Sequence, residues 1–265
     1  MSEPTPPARS ELATRSLVGA ALLVLAVAAL WLGGLAFNFL VLASVLLMVA
    51  EYCGLSGAGR AQTRIAMVLA AAGLLVGASF GISARALVLG TATIIGLGAL
   101  FAIISRRVTL GLGLVYTVLP GLALVWLRAW PNGFAFVLWV LTVVWATDIF
   151  AYFTGRAFGG RKLAPRISPG KTWSGLFGGM AAAALVGWIV ASAYRLDAPF
   201  TSLGAAMAVA AQGGDLFESW LKRQAGAKDS GLLLPGHGGA LDRLDGLIPV
   251  ALLTALVIAA GWWPL

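Results

Sequence analysis

The sequence predicts an all-α, polytopic integral membrane protein with about nine transmembrane helices and a cytoplasmic N-terminus. Of the 265 residues, 60% are hydrophobic and only 11% are charged. A soluble chain of this length needs roughly a quarter of its residues charged. The single cysteine, Cys53, excludes an intramolecular disulfide and a Cys-rich zinc site. The composition therefore excludes an ordinary soluble enzyme.

Apolar segments recur along almost the whole chain. A helix needs roughly 20 apolar residues to cross the hydrocarbon core. Nine segments qualify, at residues 16–33, 35–50, 65–82, 86–104, 109–127, 133–153, 175–193, 200–217 and 246–263. Together they use roughly 180 residues, so no separate soluble domain fits.

The chain divides into three parts on this basis. We expect a disordered cytoplasmic tail at residues 1–14. Residues 15–130 form N-terminal helices that serve as a scaffold, a lipid access route or a dimer surface. Residues 131–265 form C-terminal helices with the polar cytoplasmic loops that we expect to carry the chemistry.

The basic residues alternate between the two sides of the predicted bundle. Of the 18 Lys and Arg residues, 15 precede the first span or follow the second, fourth, sixth and eighth. Only Arg85, Arg128 and Arg195 fall on the other side. Since cytoplasmic loops carry the excess of Lys and Arg, the N-terminus is predicted inside and the C-terminus outside. The net charge of +8 is thus a topological signal and does not indicate nucleic-acid binding.

The acidic residues gather in the C-terminal half. Those near the predicted cytoplasmic side are Asp148, Asp215, Glu218, Asp229, Asp242 and Asp245. A carboxylate at membrane depth is costly and usually functional. Asp148 is therefore predicted to be either a metal ligand or a buried ion-pair partner of a loop arginine. Glu51 ends the second span at the cytoplasmic interface. A structural role there, capping Arg60 or Arg64, is as reasonable an interpretation as a functional one.

The loop after the sixth span is rich in Gly, Pro, Lys and Arg. It contains the run Ser168-Pro169-Gly170-Lys171-Thr172 just ahead of an apolar helix. Ser168 or Thr172 can cap that helix, and its free N–H groups together with Lys171 would attract phosphate. The run is not a P-loop, and we expect no strand before it. Taken alone, the run is more typical of an ordinary basic cytoplasmic loop that satisfies the positive-inside rule.

Residues 212–245 hold the densest group of charges, with five carboxylates and five cations that include His237. In a helix, one face would present Asp215, Glu218, Ser219 and Lys222. Hard carboxylate and hydroxyl oxygens favour Mg²⁺ over zinc. Basic residues interleaved with these acids resemble a phosphate clamp, namely Lys222, Arg223, Lys228 and Arg243. The alternative is a solvated loop with internal salt bridges.

These residues resemble the signature of the phosphatidate cytidylyltransferase (CDP-diacylglycerol synthase) family. The elements in the family's spacing are Ser219, Lys222-Arg223, Lys228-Asp229, Pro235, His237-Gly238-Gly239, Asp242-Arg243 and Asp245. A preceding block also matches, with Asp148, Ala151-Tyr152, Gly155-Arg156, Ile167-Ser168-Pro169 and Lys171-Thr172-Trp173. The resemblance covers about residues 145–246. Ala240 and Ser174 depart from it, since the family has a larger aliphatic residue and commonly Glu there.

The resemblance implies a multi-pass enzyme of the bacterial inner membrane with its active site on the cytoplasmic side. It would transfer a cytidylyl group from CTP to phosphatidic acid in the lipid bilayer, giving CDP-diacylglycerol and pyrophosphate. One or two Mg²⁺ ions, or another hard divalent cation, and a homodimer are implied with it. The alternatives are another lipid-phosphate enzyme such as a polyprenol kinase, and an ion-coupled transporter.

On this resemblance the residues take separate roles. The predicted metal ligands are principally Asp215 and Asp242, with help from Asp245, Asp229 and Ser219. Lys228 and Arg243 complete the predicted catalytic set. The residues expected to hold phosphate groups are Ser168, Lys171, Thr172, Lys222, Arg223, Lys228, His237 and Arg243. Asp148 and Glu218 are additional candidates.

Overall fold

The computed structural model describes residues 8–231 and 238–261, with side chains from residue 19 onward. Its helices are α1 (Ala8–Leu32), α2 (Gly34–Leu55), α3 (Arg60–Ser79), α4 (Ala84–Ser105), α5 (Val108–Ala129), α6 (Gly133–Phe158), α7 (Trp173–Ala193), α8 (Gly204–Gln224), α9 (Leu241–Leu244) and α10 (Leu247–Ala259). Between α6 and α7 lies an antiparallel hairpin of β1 (Lys162–Ala164) and β2 (Ser168–Thr172).

The helices confirm the predicted class of all-α integral membrane protein. Each predicted span overlaps one helix, and in the described residues α2 to α7 are six helices long and apolar enough to cross a membrane. The described side-chain portion of α1 and the whole of α10 are shorter apolar helices. Helix α8 runs past the predicted end at residue 217, because its charged residues pair at helical spacing instead of ending the helix.

Two expectations about local structure were wrong. The run from Ser168 to Thr172 is itself a strand that pairs with β1, although we expected no strand before the α7 helix. Pro165 and Pro169 disfavour helix in this segment, so its backbone groups pair across a hairpin instead.

Helix α1 begins at Ala8, so residues 8–14 are helical and not a disordered tail. Extending an existing helix costs little compared with nucleating one.

The N-terminal and C-terminal helices share one hydrophobic core. Helix α5 lies at its centre and packs against helices from both parts, namely α2, α3, α4, α6 and α10. Buried residues such as Leu122, Phe136 and Val250 belong to this single core. The two predicted groups of helices therefore pack as one unit.

Helices α6 and α7 pack closely through small residues. A Cβ at Gly175 would lie 2.7 Å from the Ala151 carbonyl oxygen, and one at Gly155 would lie 2.9 Å from Thr172 Oγ1. Only glycine allows these backbones to approach so closely. This contact holds the hairpin strand β2 against the last turns of α6.

Candidate active site

The first charge cluster joins the hairpin to helix α8. Lys171 of β2 forms an ion pair with Asp215 of α8. Ser219, one turn later, donates a hydrogen bond from Oγ to Asp215 Oδ1 at 3.3 Å. Asp148 of α6 interacts electrostatically with Asp215, Lys171 and Arg243. The fold thus brings together three separate parts of the predicted site.

The position of Lys171 is fixed by the residue after it. Thr172 caps α7, since its Oγ1 accepts a hydrogen bond from the Gly175 N–H at 3.1 Å. Ser174 Oγ lies 3.0 Å from Thr172 Oγ1 and donates to the Gly159 carbonyl oxygen at 2.5 Å. The predicted cap at Thr172 is confirmed. Ser168 as the alternative cap was wrong, because it pairs with Ala164 in the hairpin, too far along the chain to reach the helix start.

The second charge cluster centres on Lys222 of α8. Its ammonium lies 2.7 Å from Glu218 Oε2 and 2.5 Å from Asp242 Oδ1. All three side chains are largely buried, with exposed fractions of 14% for Lys222, 1% for Glu218 and 12% for Asp242. One cation is therefore the shared counter-charge of two buried acids, and removing it would leave both acids without a counter-charge away from water.

Asp242 is held by donors on both carboxylate oxygens. Oδ1 accepts from Lys222, and Oδ2 lies within 2.8–2.9 Å of the Ser230 N–H, the Ser230 hydroxyl and the Gly239 N–H. Burial opposes ionisation of this group. The hydrogen bonds from Lys222, Gly239 and Ser230 outweigh burial and hold the pKa of Asp242 below its usual range. Asp242 is therefore ionised and fixed in orientation.

Asp245 lies beside Asp215 because α8 allows its backbone to come close. A Cβ at Gly214 would lie 2.2 Å from the Asp245 carbonyl oxygen. The Asp245 Oδ1 atom accepts from the Gly246 N–H at 2.6 Å. Burial, followed by the charge of Asp215, raises the pKa of Asp245 well above its ordinary value. A second carboxylate is thus held near Asp215 at an electrostatic cost.

The oxygen donors of the two clusters suit a hard cation by type but not by their present arrangement. In residues 8–231 and 238–261, no three acidic, His or Cys side chains are close enough to form a metal site as they stand. The donor types nevertheless suit Mg²⁺, since Asp215, Ser219, Asp242 and Asp245 offer only hard oxygens. Asp215 and Asp242 also each hold a lysine ammonium, so both attract cations. The metal ligands remain predictions.

The remaining predicted residues that the structure describes are exposed. The side chains concerned are Arg223, Lys228, Asp229 and Arg243. Arg223 Nε donates to the Ile167 carbonyl oxygen at 3.4 Å, which joins the end of α8 to the hairpin. His237 lies outside the described residues. Exposed cations beside buried acids suit a site open to an anionic ligand from water.

Sequence reasoning missed two residues from the N-terminal helices. Glu51 of α2 accepts hydrogen bonds from Ser230, Ala240 and Leu241, so the alternative role of capping Arg60 or Arg64 was wrong. The Tyr116 hydroxyl of α5 is buried, interacts with Asp245 and Glu218, and has no hydrogen-bond partner in the described part of the chain. An acid at the end of an apolar span was a signal for Glu51, but sequence could not identify its partner.

Gly214 provides a test of the close contact at Asp245. We expect Gly214→Ala to lower kcat at least about tenfold, because the added methyl group would push the Asp245 backbone away from α8. Gly213→Ala is the matched control, since a Cβ there meets no atom within 4 Å. Steady-state turnover of both purified variants checks this. Equal turnover by the two would show that the contact is not needed.

The chain was compared with known proteins. The model of the cytidylyltransferase family matches residues 13–260. A phosphatidate cytidylyltransferase of Brucella abortus biovar 1 (strain 9-941) is 41% identical over 253 residues, which are 93% of each chain. Proteins of the same name from Pseudomonas aeruginosa and Haemophilus influenzae are each 46% identical, over 58% and 44% of this chain and 58% and 43% of the relative. This chain therefore belongs to the cytidylyltransferase family.

Proposed function

We propose that this enzyme transfers a cytidylyl group from CTP to phosphatidic acid, forming CDP-diacylglycerol and pyrophosphate for phospholipid synthesis. A phosphate oxygen of the lipid attacks the α-phosphorus of CTP, and the bond from that phosphorus to the bridging oxygen of pyrophosphate breaks. The lipid phosphate has a second pKa of about 6, so it is mostly a dianion at neutral pH. The reaction therefore needs charge neutralisation and alignment more than a strong base.

The paired clusters around Lys171 and Lys222 are the observation that carries this proposal. Each lysine lies against an aspartate that is predicted to bind a metal ion. An anionic substrate arriving at the clusters would find ammonium groups for its phosphate oxygens and carboxylates for an accompanying cation. The adjacent bilayer supplies a lipid substrate laterally, and water supplies CTP.

The residues proposed to hold Mg²⁺ are principally Asp215 and Asp242, with help from Ser219, Asp229 and Asp245. When bound, the ion would neutralise phosphate charge and polarise the α-phosphate. Lys171, Lys222 and the exposed arginines would hold phosphate oxygens in line for displacement. The buried hydrogen bonds to Asp242 keep it ionised and oriented for this role.

Transfer of label from α-³²P CTP to lipid tests the proposed reaction. Purified protein with Mg²⁺ and phosphatidic acid should give labelled CDP-diacylglycerol, and it should not do so when either substrate is left out. UTP, ATP and a polyprenol serve as competing substrates. In a parallel reaction with γ-³²P CTP, transfer of label to a polyprenol would indicate a lipid kinase instead. Absence of any lipid product in both reactions would contradict enzyme function.

We propose further that nine helices cross the bacterial inner membrane with the N-terminus and the active site on the cytoplasmic side. The distribution of Lys and Arg supports this orientation.

Cysteine labelling tests this orientation. In a Cys53→Ser background, a cysteine replacing Asp197 should react with an impermeant maleimide added to intact cells. A cysteine replacing Arg106 should react only after lysis, and the reverse pattern would contradict the orientation. We also propose a homodimer, as the family resemblance implies. Sedimentation in detergent should give the mass of two chains, and the mass of one chain would contradict this.

A further inference from the structure

Glu51 is a buried acid that the mechanism above does not use. It lies near the end of α2, and only 5% of its surface is exposed. The residues that it contacts are 179 to 190 positions later in the chain. A buried carboxylate is costly unless donors satisfy it. Its position therefore calls for a specific partner rather than general packing.

The partners of Glu51 are the groups that immediately precede Asp242. Oε1 accepts from the Ala240 N–H at 2.8 Å, and Oε2 accepts from the Leu241 N–H at 2.8 Å. The carboxylate thus holds two successive peptide groups at the start of α9. Since Asp242 is the next residue, its backbone position is set directly by Glu51.

Ser230 connects the two carboxylates. Its Oγ lies 2.9 Å from Glu51 Oε2 and also 2.9 Å from Asp242 Oδ2. The hydroxyl carries one hydrogen, so it can donate to only one of the two oxygens at a time. Lys222 is in turn bound to Asp242. A continuous polar chain therefore runs from α2 to the charged face of α8.

Two glycines allow the loop backbone to come close to the Glu51 carboxylate. A Cβ at Gly239 would lie 2.4 Å from Glu51 Oε2 and 2.2 Å from Ser230 Oγ. A Cβ at Gly231 would lie 2.7 Å from Glu51 Oε1. Two glycines from different parts of the loop thus contact the same carboxylate, and both parts are held against α2.

We propose that Glu51 is a positioning residue for the cytidylyl-transfer reaction, and that it acts by holding Asp242 and, through it, Lys222 in their working geometry. The inference rests on the proposed function, because its kinetic test needs that reaction. It also gives the N-terminal helices a role in catalysis. Through Glu51, α2 fixes a part of the active site that C-terminal helices alone would leave less constrained.

The test compares Glu51→Gln with Val45→Ala. The amide keeps the size of Glu51 but replaces one acceptor oxygen with a donor that faces the Leu241 N–H and Ser230. Val45, also fully buried on α2, is a control for loss of packing away from the loop. We expect kcat to fall at least about tenfold in Glu51→Gln and to stay within about twofold of wild type in Val45→Ala. Wild-type kcat in Glu51→Gln, or an equal fall in both variants, would overturn the proposal.

Amide hydrogen exchange supplies a readout that does not depend on activity. Exchange at residues 239–242 should accelerate in Glu51→Gln and remain unchanged in Val45→Ala. If the wild type makes no CDP-diacylglycerol, the proposed function fails while this exchange test still decides whether Glu51 holds the loop. Should Glu51→Gln not fold, Ser230→Ala removes only the hydroxyl link and should lower kcat about threefold or more. Unchanged kcat in Ser230→Ala would then count against the proposal.

Discussion

Asp215→Asn is expected to lose at least about 100-fold in kcat while the protein remains folded. The substitution keeps the size of the side chain but removes its charge. Lys171 then loses its ion-pair partner, and Ser219 loses a charged acceptor. A cation proposed to bind here would lose a principal ligand as well. Formation of CDP-diacylglycerol at saturating CTP measures the effect.

Asp197→Asn is the matched control for this substitution. Asp197 is exposed in the loop that precedes the start of α8, whereas the charged residues of α8 lie in the second half of that helix. It should retain wild-type turnover, so a loss confined to Asp215→Asn can be assigned to the site. Normal turnover by Asp215→Asn would contradict the assignment of Asp215 to catalysis.

Lys222→Met is expected to destabilise the protein and to abolish turnover. The methionine fills similar space, but it leaves Glu218 and Asp242 buried without the counter-charge that they share. Removing one partner of a buried ion pair typically costs about 3–5 kcal/mol in the free energy of unfolding. Thermal unfolding in detergent and turnover measurements together record both losses.

A second substitution separates the effect on stability from the effect on catalysis. In the double variant Lys222→Met with Glu218→Gln, one of the two uncompensated charges is gone, so part of the lost stability should return. Turnover should stay low, because the Lys222 ammonium that is proposed to contact substrate phosphate is still missing. Recovery of turnover along with stability would assign Lys222 a purely structural role.

The order and approximate bounds of the helices could be predicted because lipid imposes a simple requirement. Each span must be apolar along its whole length and must satisfy its backbone hydrogen bonds internally. The bounds of α5 and α6 therefore agree closely with the predicted spans. The end of α8 was harder to predict, since its last turns are polar and are supported by side-chain pairs.

Parts of the active site could also be read from residue types and spacing. Asp215, Glu218, Ser219 and Lys222 share a helix as predicted. Within this set, spacing alone did not reveal that Lys222 bridges Glu218 to Asp242. That contact depends on how the loop returns to α8, which is a matter of packing.

The sequence by itself determined the membrane class, the helix order and the family, because hydropathy and motif spacing are local properties of the chain. Only the tertiary structure decided that Glu51 of α2 binds the peptide groups before Asp242. It also paired Lys171 with Asp215 and formed the hairpin that carries Lys171. A buried charge must find donors or a counter-charge wherever the fold brings them, and sequence separation carries no information about that partner.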